Sequence, residues 1–228
     1  MYKHIISIVI VLLFAGCTTP GMFFSPPGGG EENVHHLDGI NDFTDTQIVG
    51  IDPVGDISEK NLDLDTLWAV IEDSMLYIGF NAYASHFGLS YGVYIFPDSI
   101  SPSGATDDPW GRAVNYNGFY PEYILYFWHD ETENIITSAN FCTFNGSWNY
   151  TDITSSELFI LNKSYHFMEI GVKLSELGDP DSIFIEVFTT GGTNSHAQDT
   201  SPSDSNVSFP NPDWSSTVTS LSNAVLVK

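Results

Sequence analysis

The chain has 228 residues, 42% of them hydrophobic and 14% aromatic, enough to fill the core of one domain of the β-sandwich kind. Six Lys and Arg stand against 29 Asp and Glu, a formal net charge of −23. Such a surface repels phosphate backbones and anionic lipid, which excludes nucleic acid as a partner and excludes electrostatic attachment to a membrane.

The chain opens MYKHIISIVIVLLFAGC. Lys3 and His4 precede an apolar run from Ile5 to Phe14, and the small residues Ala15 and Gly16 stand directly before Cys17. This is the layout of a secretory signal, too short for a comfortable transmembrane helix. A cysteine directly after LFAG resembles a bacterial lipobox, although Phe14 stands where Leu, Val or Ile is usual. The resemblance implies a signal peptide over 1–16, a lipidated Cys17 and an extracytoplasmic chain held to the cell envelope; several acyl chains anchor firmly where one does not. The alternative is a plain cleaved signal with an incidental cysteine. An acylated Cys17 leaves Cys142 without a disulfide partner, and its place in an apolar run reads as an inert buried thiol. TTPGMFFSPPGGGEENV follows, rich in Pro and Gly, so 17–34 reads as a flexible tether and 35–228 as the folded domain.

Beyond His35 the apolar pattern alternates. Leu67, Ala69 and Ile71 and then Leu76, Ile78 and Phe80 flank the turn Glu72-Asp73-Ser74, the pattern of a β-hairpin. Further strands are expected at 91–96, 123–128, 136–144, 157–161, 165–173, 183–190 and 222–227, separated by polar turns such as HDETEN, NGSWN and TTGG. LSELG, ending at Gly178, is the one brief helical turn. About eight to ten short strands with polar turns predict an all-β, antiparallel sandwich or barrel.

Several stretches resemble a known family. HLDGINDFTDTQIVGIDPVGD, LDTLWAVIEDSMLYIGF, DDPWGRAVNYNGFYPEYILYFW, FNGSW and FTTGGTNSHAQDTSPSDSNVSFPNPDWSSTVTSLSN are similar to β-sandwich modules appended to pullulanases, α-amylases and glucodextranase, and more distantly to type-nine carbohydrate-binding modules and the DOMON-like fold. The resemblance spans roughly His35 to the C-terminus. It implies a jelly-roll-like antiparallel sandwich, calcium in many members, carbohydrate as the usual ligand and no catalysis, here in a stand-alone lipoprotein.

The residues themselves propose two sites. Asp52 and Asp56 flank a Pro-x-Gly turn that can aim two carboxylates at one point; Asp63 and Asp65 follow, and Asp199 and Asp204 sit in a later acidic segment. A hard cation such as calcium takes roughly six to eight oxygens from loops of this kind. Asp also caps turns through its own backbone, and no EF-hand spacing is present. Trp110, Trp148, Trp214 and Trp128 stand in expected loops or at strand ends beside polar residues, where indoles could stack on sugar rings, with Tyr116 and Tyr120 supplying hydroxyls. Burial is the competing reading for each ring; Trp68, inside an alternating strand, is read as packing. No nucleophile or metalloprotease motif selects catalytic residues. His166 and Met168 are too close together to clamp a haem, so no haem is expected.

The sequence therefore reads as a non-catalytic, membrane-anchored lipoprotein that binds polysaccharide or oligosaccharide, an α-glucan among the options, with structural calcium. Glycoside hydrolases or transport proteins of the envelope are the implied protein partners. The alternative is an envelope structural or protein-interaction module on the same scaffold without a sugar site.

Overall fold

The computed structural model of the chain describes residues 35–83, 87–97, 104–117, 120–132, 134–207 and 210–228. The expected signal peptide, Cys17 and the tether lie outside the described residues. Fourteen strands are described: β1 (Ile48–Ile51), β2 (Thr66–Glu72), β3 (Met75–Asn81), β4 (Leu89–Pro97), β5 (Val114–Tyr116), β6 (Tyr123–Asp130), β7 (Ile135–Phe144), β8 (Trp148–Asp152), β9 (Phe159–Asn162), β10 (Phe167–Lys173), β11 (Ile183–Thr190), β12 (Ala197–Ser201), β13 (Thr219–Leu221) and β14 (Val225–Val227). Short 3-10 turns occupy Asp45–Gln47 and Leu174–Leu177. The second is the expected LSELG turn, closed by Gly178 in the left-handed region (φ 85°).

The strands form a five-stranded sheet in the order β1-β2-β3-β10-β9 and a seven-stranded sheet in the order β12-β11-β4-β6-β7-β8, with β14 also pairing β11. Within both sheets every pairing is antiparallel. The fold is thus an all-β, two-sheet sandwich. The hairpin read from the sequence is β2–β3. Glu72 pairs with Met75, leaving Asp73 and Ser74 as a two-residue loop with φ of 47° and 63°, the twist a tight hairpin needs.

One side of each sheet meets in the middle. Leu67, Ala69, Leu76, Ile78, Phe80, Met168 and Ile170 from the smaller sheet pack on Leu89, Tyr91, Val93, Leu125, Phe127 and Val187 from the larger one. Fully burying such a side chain contributes roughly 1.5–3 kcal/mol, so this layer carries most of the stability. Met168 belongs to this core, whereas His166 precedes β10 in a turn at φ 54°, so the two do not share a strand.

The outer face of the larger sheet is also covered. Tyr94, Phe96, Ile124, Tyr126, Cys142 and Phe188 form a second core with Val114, Ala197, Val207 and Leu221. The segment 104–117 and the parallel pair β5–β13 lie over it. That is why β4 is buried on both faces. Cys142 is buried in this second core, as expected, and burial pushes its thiol up to about 12. Trp68 is half-buried on β2, edge-on to Phe167 at 5.6 Å, a packing ring as read from its alternating strand.

Candidate functional site

Two places concentrate chemistry: a group of carboxylates at one end of the sandwich, and an aromatic pocket beside the layer that covers the larger sheet.

The carboxylates come from three segments. Asp52 follows β1, and its N–H donates to the Asp65 carbonyl at 3.0 Å, which fixes the start of the Pro53–Gly55 turn. The Asp56 N–H closes that turn on the Pro53 carbonyl at 3.3 Å. Gly55 donates its N–H to both oxygens of Asp63 at 3.0 Å. Asp199, on β12, accepts the Leu64 N–H at 2.6 Å. The result brings one oxygen each from Asp52, Asp56, Asp63 and Asp199 within 4.8 Å of one another. Asp52 and Asp199 are 2% exposed and Asp63 7%, while Asp56 faces solvent.

Burial, reinforced by the neighbouring carboxylates, pushes Asp52 up to about 7 and Asp199 up to about 8, and burial raises Asp63 as well. Among the described residues no lysine or arginine pairs with the four. Lys60 acts on Asp63 from a distance, its ammonium lying over the Tyr83 ring at 4.2 Å. The second oxygen of Asp52 is buried without any hydrogen-bond partner. A buried, unpartnered carboxylate oxygen on a member of this group fits a divalent cation held by oxygen ligands.

The other two acidic residues considered from sequence lie outside this group. Asp65 accepts from the Thr66 hydroxyl at 2.9 Å and the Asn81 amide at 3.0 Å. Asp204 turns toward the C-terminal segment, accepting the Ser222 N–H at 2.6 Å and the Asn206 N–H at 2.9 Å. It was grouped with Asp199 by proximity in sequence, but the chain turns sharply after β12 and carries it away.

The indoles also divide. Trp110 stacks on Tyr126, centroids 4.7 Å apart and planes 10° from parallel, and donates its indole N–H to Asn140 at 3.0 Å. Trp148 stands at a strand end, opening β8; its N–H donates to the Asp107 carbonyl at 3.0 Å, and the neighbouring Tyr150 hydroxyl donates to the Pro109 carbonyl at 2.7 Å. These rings pin the Asp107–Trp110 bend to the sheet. Asp108 ties down the same bend, accepting from Tyr94, Tyr126 and the N–H groups of Trp110 and Arg112. Both indoles are half-buried with their polar atoms already used. Tyr116, on β5, sets its ring edge-on to Tyr94 at 4.2 Å, and its hydroxyl is buried without a hydrogen-bond partner. Tyr120 is half-buried at the edge of the covering segment.

Trp214 is different. It is 44% exposed and lines a pocket of about 330 Å³ with Phe87, Gly88, Gly191, Gly192 and Ser195. Phe87 meets its indole edge-on at 5.3 Å. The indole lies directly on backbone: a Cβ at Gly191 would sit 2.8 Å from both the Trp214 ring and the Ser195 hydroxyl. Gly88 likewise leaves room for the Trp128 ring behind it. The Arg112 guanidinium lies 6.0 Å from the Trp128 centroid and 5.3 Å from that of Trp110. It donates to the Ser90 hydroxyl at 2.8 Å, and Ser90 donates to the Gly191 carbonyl at 3.4 Å. A continuous set of rings and hydrogen bonds therefore supports the pocket floor.

Of the rings considered from sequence, Trp214 forms a pocket wall and Trp128 backs it, while Trp110 and Trp148 belong to the covering layer. Phe87, Gly88, Gly191, Gly192 and Ser195 were not singled out. The signal was present in glycines at the ends of two apolar runs, FG before β4 and TTGG after β11, where a missing side chain admits a close neighbour.

Comparison of the chain with protein-family models, curated proteins and solved structures finds no match. Among the described residues no helix is long and apolar enough to cross a membrane.

Proposed function

We propose that this chain is a non-catalytic, lipid-anchored sandwich of the jelly-roll-like, DOMON and carbohydrate-binding-module type, which holds neutral sugar rings in the Trp214 pocket and uses calcium at the four-carboxylate group to fix its loops. The observation that carries the reading is the wet indole of Trp214 over a glycine floor. An indole face and the Phe87 edge suit the C–H face of a sugar, and Ser195 with the Gly191 and Gly192 backbone offers hydrogen bonds. Its size is at the low end of small-molecule sites, which suits one or two rings of a longer polymer.

The charge supports a neutral ligand, since a chain at −23 repels anionic polymers. Calcium suits the carboxylates because every available ligand is a hard oxygen. Lipidation at Cys17 would keep bound polymer near the envelope, where tethered or secreted hydrolases would meet a higher local concentration. A second reading, an envelope protein-interaction module, is favoured by the internal use of Trp110 and Trp148. Affinity electrophoresis in gels containing starch, pullulan, cellulose or xylan, with and without chelator, separates the two. Retardation on one polymer supports sugar binding, and free migration on all four supports the interaction module.

A further inference from the structure

We propose a second cation site, independent of the Asp52 group, between Glu186 at the centre of β11 and Asp204 in the turn after β12. Glu186 stands opposite Tyr94 on β4, on the face that carries Phe184 and Phe188 into the second core. It is 1% exposed, and Asp204 is 3% exposed.

One Glu186 oxygen accepts the Asn223 N–H at 3.3 Å. The other, Oε1, is fully buried with no hydrogen-bond partner. That oxygen therefore lies in the interior with nothing in the chain to bond it. A buried polar atom is rarely left without a partner, so something outside the chain belongs beside it.

The surroundings say what that something is. Asp204 is the charge that acts on Glu186, and no cationic side chain does. Asp204 is itself immobilised, its oxygens accepting from Ser222 N–H at 2.6 Å, Asn206 N–H at 2.9 Å and the Ser222 hydroxyl at 3.1 Å. The Asn223 amide clips the same turn by donating to the Ser203 carbonyl at 2.6 Å. Two buried carboxylates, held by the successive backbone N–H groups of Ser222 and Asn223 and with one oxygen left unpartnered, suit a hard divalent cation of the calcium class. With two carboxylates rather than four, this site binds more weakly than the Asp52 group.

The test is a count. Equilibrium dialysis of the chelator-treated full chain against radioactive calcium is expected to give two equivalents bound. Glu186→Gln and Asp204→Asn should each lower the count to one, and Asp52→Asn should also leave one. One equivalent in the wild type, abolished by Asp52→Asn, means that Glu186 holds water and overturns the proposal. One equivalent lost with Glu186→Gln but kept with Asp52→Asn overturns the Asp52 site and keeps this one. If neither Glu186→Gln nor Asp204→Asn folds, the Asp52→Asn count decides alone: one supports the second site and zero refutes it.

Discussion

Asp52→Asn should act in opposite directions on the ion-free and the calcium-loaded protein. Without an ion, Asp52 is held at about 7 against an ordinary value of 3.8, so ionising it near pH 8 costs stability. The unscreened shift would be about 4 kcal/mol; with water reaching the group past the exposed Asp56, about 1–2 kcal/mol is the reasonable penalty. Asparagine removes that charge, and its amide can donate to the neighbouring carboxylates. The ion-free variant should therefore melt about 2–8 °C above ion-free wild type, at roughly 2–4 °C per kcal/mol for a domain of this size. With calcium the order reverses. A ligand at a hundred times its Kd stabilises the wild type by about 2.7 kcal/mol, or roughly 5–11 °C. The variant loses a ligand and most of that gain. Differential scanning calorimetry at pH 8, with EDTA and with millimolar calcium, reads both arms. An ion-free variant less stable than ion-free wild type would refute the repulsion argument, and an unchanged calcium shift would refute the assignment of Asp52 as a ligand.

The pH dependence has a definite sign. Asp52 and Asp199 hold protons in the folded state up to about 7 and about 8, whereas the unfolded chain releases them near 3.8, so ion-free stability falls as pH rises through that window. Calcium competes with those protons, so its effect on the melting temperature should be small at pH 5 and largest near pH 8; an effect that is flat with pH would contradict the site. In the pocket, Gly191→Ala puts a Cβ 2.8 Å from the Trp214 ring and should weaken polysaccharide retardation at least several-fold, read by affinity electrophoresis, while circular dichroism stays native. Trp110→Ala removes a ring stacked on Tyr126 and should lower stability by about 3–5 kcal/mol in a denaturant melt, the usual range for a packed Trp. Cys17→Ala should move the protein from the membrane to the soluble fraction of cells expressing it, and continued sedimentation with membranes would contradict lipid anchoring.

The strands that frame the intersheet core were legible because their alternation is strong. β2, β3, β4, β6, β10 and β11 all fall where apolar or aromatic residues recur at every second residue, and β7 covers the run expected at 136–144. The strands that were missed bury or expose the wrong chemistry for that signal. β12 reads AQDTS and is buried throughout, yet its residues are polar because they serve hydrogen bonds: Gln198 bonds the Asp213 backbone, Ser201 donates to the Asp65 carbonyl, and Asp199 enters the carboxylate group. β8 reads WNYTD at a sheet edge with most of its side chains exposed, so it looked like the end of the NGSW turn. β5 and β13 are three residues each and pair in parallel across more than a hundred positions of chain, a contact no local pattern encodes.

The sites follow the same division. The Asp52–Asp56 turn was visible because Pro-x-Gly fixes its geometry locally, and Asp199 was picked out only as part of an acidic segment. That Asp199 joins the first group while Asp204 bonds Ser222 and Asn206 depends on how the chain turns after β12. Glu186 itself was hidden inside an apolar run, IFIEVF, where a single acid breaks no period. Trp214 was identified, but its partners come from the ends of β4 and β11, and only the pairing of those strands brings Gly88 near Gly191.

The central claim, that an exposed indole captures neutral sugar, is tested most directly by comparing Trp214→Ala with Trp148→Ala on whichever polymer retards the wild type. The account expects Trp214→Ala to migrate as it does in a gel without polymer, while Trp148→Ala, folded by circular dichroism, is retarded as wild type. Equal retardation of Trp214→Ala and wild type would contradict it.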